Sequence, residues 1–156
     1  MPIPNRALVL VVDGRKMLFF RNEGDANQID LRTEAHEERD DAAHDGDLKT
    51  DAPGTSHGSV GSARSSMEET DFKQQEEDAW VKEAAEKLRL RALRGDFDHL
   101  CIVAPPKALG VLRKALHKEV EKRIVCTINK EMSGRPIPEI EKLVENETKA
   151  AEPADV

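Results

Sequence analysis

Two short stretches, ALVLVV at residues 7–12 and LCIVA at residues 100–104, are apolar at every position. A strand with one solvated face alternates apolar and polar residues, whereas an unbroken run suits a central strand covered on both faces. A chain with two such strands calls for a layered α/β core in which helices pack over a sheet. The segments around the first run fit. Asp13-Gly14 follows it, and Asp-Gly is a preferred hairpin turn because its central positions take positive φ. KMLFFRN (16–22) then reads as a second, antiparallel strand. EGDAN (23–27) reads as another turn. QIDLRTEAHEE (28–38) reads as an edge strand with Ile29, Leu31 and Thr33 on one face and Asp30, Arg32 and Glu34 on the other.

Residues 39–66 carry almost no large apolar side chain, Leu48 and Val60 excepted. Such a segment buries too little surface to offset the entropy of ordering it, and a mobile loop is expected there. Helical spacing resumes with Phe72, Ala79, Trp80, Ala84, Leu88 and Ala92. Thr70 or Asp71 is the expected cap, Gly95 the stop, and Trp80 the main core anchor of a helix over 71–94. A second helix is expected over 106–123 with the stripe Leu109, Leu112, Leu116 and Val120. A fifth strand follows at 124–128 and a last helix at 138–148. The fold class is therefore α/β, with a mixed five-stranded sheet in the ribonuclease H-like order β-β-β-α-β-α-β-α. Residues 1–148 read as a single domain and 149–156 as a disordered tail.

Composition narrows the function. No 18-residue apolar run exists, and the run at 7–12 is too short for a signal core, so a cytoplasmic protein away from membranes is expected. Tyrosine is absent and aromatic residues are few, which leaves little for a base-stacking platform. Cys101 and Cys126 both fall in strands and read as buried free thiols. The net charge of −7 divides unevenly: −12 over residues 22–79 and +6 over residues 80–135. The basic part centres on the second helix. At ~100° per residue, Lys107, Lys114 and Lys118 share one face, with Arg113 and Arg123 beside the apolar stripe. These lysines are the candidate anion or nucleic-acid site; the alternative is a face that serves solubility alone.

Other candidates are weaker. Asp13 ends the first strand, where ribonuclease H-like nucleases keep a magnesium carboxylate. A hard divalent ion needs several oxygen ligands, and the fourth strand ends in Ala104-Pro105-Pro106, which supplies none. Asp13 reads most simply as a turn residue. PGTSHGSVGSARSS (53–66) resembles a phosphate loop in composition only, although Arg64 before a helix could meet an anion. His36, His44 and His57 are too widely spaced for a metal site, and no metal or cofactor is expected. No serine or cysteine nucleophile is placed beside His99 or His117, and an enzyme is not favoured. The strand–Pro105-Pro106–helix corner stands where open α/β sheets often bind ligands. It also has a plain structural reading, with Pro106 suited to a first helical turn and Gly110 allowing the helix close to the sheet.

Ala104-Pro105-Pro106, Leu109-Gly110, Leu112-Arg113, Asn129-Lys130-Glu131-Met132 and Pro136 through Ile140 resemble the family named for "protein required for attachment to host cells". LVLVVDGRKMLFFRN and PGTSHGSVGSARSSME look like the same family, so the resemblance spans nearly the whole chain. It implies a bacterial cytoplasmic protein related to the middle domain of archaeal and eukaryotic peptide release factors. In those factors a Gly-Gly-Gln loop enters the peptidyl-transferase centre. This chain has no Gly-Gly pair, and Gln74-Gln75 falls in a helix. The expected function is a non-catalytic, macromolecule-binding domain of the host-attachment family. The alternative is a ribosome- or tRNA-binding module, and a metal-dependent nuclease comes last.

Overall fold

The computed structural model describes residues 3–39 and 58–150, with side chains for 3–39 and 71–148. Five strands, β1 (Leu8–Val12), β2 (Lys16–Asn22), β3 (Leu31–Glu38), β4 (Leu100–Ala104) and β5 (Ile124–Asn129), form one sheet in the order β3-β2-β1-β4-β5. β1–β2 and β2–β3 are antiparallel, and β1–β4 and β4–β5 are parallel. The mixed five-stranded α/β sheet expected from the sequence is present. Every residue of β1 and β4 is buried, because both strands lie inside the sheet and are covered on each side.

The helices are α1 (Gly58–Leu93), α2 (Pro106–Ala115), α3 (Lys118–Glu121) and α4 (Ile137–Ala150). Leu8, Leu10, Val12, Met17, Phe19, Leu100 and Ile102 face α1 and α2, where they meet Val81, Leu88 and Leu112. Val9, Val11, Phe20, Cys101 and Val103 face the other way, toward Ile3 and the α4 residues Ile140 and Val144. No helix among the described residues is long and apolar enough to cross a membrane.

Several local expectations need correction. α1 begins at Gly58 rather than Asp71. No proline lies between Pro53 and Asp71 to stop the N-terminal extension of a helix already formed downstream. Its buried stripe is Val81, Ala84, Ala85, Leu88 and Ala92. Phe72 is 62% exposed, and Trp80 is a half-buried flank of the core rather than its anchor. The helix over 106–123 is broken. Leu116 and His117 are extended, and the His117 Nδ1 accepts from the Glu119 amide at 3.0 Å. That cap restarts the chain as α3 and carries Val120 into the core. Gly110 is exposed with open space around it, so it serves no close approach.

β3 starts at Leu31, and its pattern shifts at a bulge: Phe20 faces Thr33 while Phe19 faces Ala35, which leaves Glu34 as the extra residue. Thr33 is exposed, and Ala35 turns to the α1 side. α4 reaches Ala150, two residues beyond the expected end at 148. The loop expected at 39–66 falls largely at 40–57, outside the described residues, as do the last residues of the tail, 151–156, and the side chain of Arg64.

An ion cluster around a buried arginine ties these elements together, and neither periodicity nor motif announced it. Arg21 is 2% exposed and uses its whole guanidinium. Nε and Nη2 donate to Glu34 at 2.9 and 3.1 Å, and Nη2 also donates to the Asp96 carboxylate at 2.8 Å. Nη1 donates to the Asp96 and Arg6 carbonyls at 2.9 and 3.2 Å. Arg91 from α1 donates to Glu34 and Asp96 and lies 4.8 Å from the Phe19 ring centroid. Burial alone would push the Glu34 and Asp96 carboxyls up, but the two arginines outweigh it and hold both below the ordinary range.

Candidate functional site

The parallel strands β1 and β4 end side by side, and the chain leaves them in different ways. β1 turns back as a hairpin, and β4 runs through Pro105-Pro106 into α2. Between these exits lies a cleft of about 370 Å³, bordered by Asp13, Gly14, Glu77, Pro106, Lys107 and Glu131. Its position outside the carboxyl ends of the strands is where α/β sheets commonly place ligands.

The local chemistry of the cleft floor is structural. The Asp13 Oδ1 accepts from the backbone amides of Arg15 and Lys16 at 2.8 and 2.7 Å. The carboxylate thereby does the work of a backbone carbonyl in the turn. Positive φ occurs among the described residues only at Arg6 and Gly95, so the expected positive-φ hairpin does not form at Asp13-Gly14. Gly14 instead gives clearance to α1. A Cβ there would stand 2.8 Å from the Cγ of Glu77, because α1 crosses directly over the turn.

The other Asp13 oxygen, Oδ2, accepts from the Ser133 hydroxyl. The Ser133 Oγ also lies 2.7 Å from the Glu131 Oε1, which accepts from the Ser133 amide at 2.9 Å. Burial raises the Asp13 carboxyl, but the hydrogen bonds from Ser133 and the two turn amides prevail and hold it below its ordinary range. A serine pinned by two carboxylates, with no imidazole among its partners, is not an activated nucleophile. Asp13 is likewise committed through both oxygens. No cluster of three or more metal-binding side chains occurs among the described residues. The Asp13–Ser133 contact joins residues 120 positions apart, and the loop sequence NKEMSGRP held no spacing rule that could have found it.

The basic residues fall into two groups. Lys107 stands at the cleft rim, where its Nζ donates to the Gln74 Oε1 at 3.4 Å. Lys114 lies two turns further along α2, about 10 Å up the axis, and is exposed beside exposed Arg113. Lys118 is exposed too, but the break at Leu116-His117 places it on α3, off the single helix face expected for all three. Arg123 is turned inward, donating to the Phe97 carbonyl at 2.6 Å. Arg113, Lys114 and Lys118 make no ion pair among the described residues.

Comparison with known proteins adds one finding. Residues 6–144, from just before β1 into α4, match the family model described as bacterial archaeo-eukaryotic release factor family 12. No curated protein matches the chain.

Proposed function

Because the chain belongs to bacterial archaeo-eukaryotic release factor family 12, we propose that it is a non-catalytic, macromolecule-binding domain of the release-factor middle-domain type. We read its β3-β2-β1-β4-β5 sheet as ribonuclease H-like, the order that such middle domains use. The partner class we propose is the ribosome or a tRNA, which makes the protein cytoplasmic. The host-attachment name suggested by the sequence describes a phenotype and adds no chemistry to this reading.

The observation that carries the partner class is the group of exposed cations on α2 and α3 that make no ion pair among the described residues. Among the described residues, Lys114, Lys118 and Arg113 pair with no carboxylate, in a chain whose net charge is −7, and Lys107 stands in line on α2. Cations that stabilise nothing within the fold are available to phosphates. The lack of a Gly-Gly pair argues for binding without peptidyl-tRNA hydrolysis.

Ribosome co-sedimentation and tRNA binding across a salt series test the proposal. The wild type should bind at low salt and release as salt rises. Replacing Lys107, Lys114 and Lys118 together by glutamate should abolish binding and leave Tm nearly unchanged. Each phosphate contact contributes a slope of about −0.7 to −0.9 in log K against log salt, so three lysines account for a slope of about −2 to −3. Undiminished binding by the triple variant, or no binding by the wild type at low salt, overturns the nucleic-acid reading.

A further inference from the structure

Cys101 and Cys126 are direct partners across the parallel pair β4–β5. Their pairing depends on an irregularity. Leu100 faces Ile124, but Cys101 faces Cys126, so Val125 is the extra residue of a bulge. Without that bulge Cys101 would face Val125. Bulges re-aim side chains, and this one brings two thiols to the same face of the sheet beside α4.

Strands in a sheet lie about 4.8 Å apart, within the Cα separations that a disulfide spans. We propose that Cys101 and Cys126 form a reversible intrachain disulfide, with Cys126 as the thiol that reacts first with a peroxide.

The two positions are unequal in the way this chemistry needs. Cys101 is wholly buried on the interior strand β4, and Cys126 is partly exposed on the edge strand β5. Burial pushes the Cys101 thiol well up, so it remains protonated and donates to its neighbour. That hydrogen bond lowers the Cys126 thiol against its own burial. The Cys126 thiolate attacks one peroxide oxygen, and the O–O bond breaks to give a sulfenic acid and, with a proton, water. The Cys101 sulfur then attacks the Cys126 sulfur and displaces a second water. In sum, two thiols lose two electrons and two protons, and one peroxide becomes two waters. A dithiol reductant reverses the step by exchange. The closed ring encloses α2 and α3, and with them Lys107, Lys114 and Lys118. The proposal does not depend on what those lysines bind.

The test is intact-mass and peptide analysis of the native full-length chain after dilute hydrogen peroxide and quenching by alkylation. The expected product is monomeric, lighter by two hydrogen atoms, and yields a Cys101–Cys126 cross-linked peptide that dithiothreitol separates. The C101S variant should stop at a Cys126 sulfenic acid that dimedone captures, and C126S should not react while folded. Circular dichroism on each variant establishes that it is folded. Three results each overturn the proposal: both thiols still alkylatable after excess peroxide, Cys126 oxidised further with Cys101 left free, or linkage only between chains.

Discussion

Replacing Arg21 by methionine keeps the volume of a buried side chain while removing the centre of the ion cluster. The side chain makes five hydrogen bonds to Glu34, Asp96 and Arg6. Breaking a buried ion pair by removing one partner costs about 3–5 kcal/mol, chiefly because the other charge is stranded. Here the stranded acids are 28% and 36% exposed and keep Arg91, so water and the second arginine recover part of the loss. The expected cost is therefore near the low end, about 3 kcal/mol. In a chain of 156 residues, each kcal/mol moves Tm by about 2–4 °C, giving a fall of roughly 6–12 °C.

The pH dependence identifies the cause. The carboxyls of Glu34 and Asp96 lie below their ordinary range in the folded protein. Their contribution is fully present above their unfolded values near ~4 and is lost as pH falls through the folded values. The Tm gap between wild type and R21M, followed by circular dichroism, should be widest near neutral pH and narrow toward about pH 3. Adding E34Q to R21M should cost less than the two single changes summed, since the acid has already lost its main partner. A Tm loss under about 3 °C at neutral pH, or a gap that does not change on acidification, would refute the reasoning.

Five further variants follow from the packing. S133A should cost about 1–2 kcal/mol near neutral pH in chemical denaturation. Because the Asp13 carboxyl is held low, that cost should fade as pH drops through its folded value; an unchanged cost in acid counts against the Asp13–Ser133 contact. G24A should be severely destabilising, since its Cβ would stand 1.9 Å from the Gln28 carbonyl oxygen, whereas G110A should raise stability by about 0.5–1 kcal/mol in an open helical position. F72A should stay within about 0.5 kcal/mol of wild type, since its ring is mostly exposed. L88A, at a fully buried position, should cost about 2–5 kcal/mol; similar losses for the two would contradict the observed face of α1.

By itself the sequence determined the strands, their order and which of them are central. The unbroken runs at 7–12 and 100–104 require cover on both faces, and hydrophobic period is a local property that any short window displays. The sequence's resemblance to the host-attachment family implied a relation to release factors, and the family match over residues 6–144 supports that relation. What only the tertiary structure decided is where the chain departs from regular period. The Glu34 bulge sends Leu31 to one core and Ala35 to the other. The His117 cap splits the lysine face that an unbroken helix would have carried. Phe72 repeats at helical spacing yet lies beyond the part of α1 that meets the sheet. Arg21 with Asp96, Asp13 with Ser133 and Cys101 with Cys126 are contacts between residues far apart in the chain, set by register and by where loops return. No fixed spacing encodes such pairs. One inserted residue in a strand reassigns every side chain after it, so these sites become visible only once the strands are aligned.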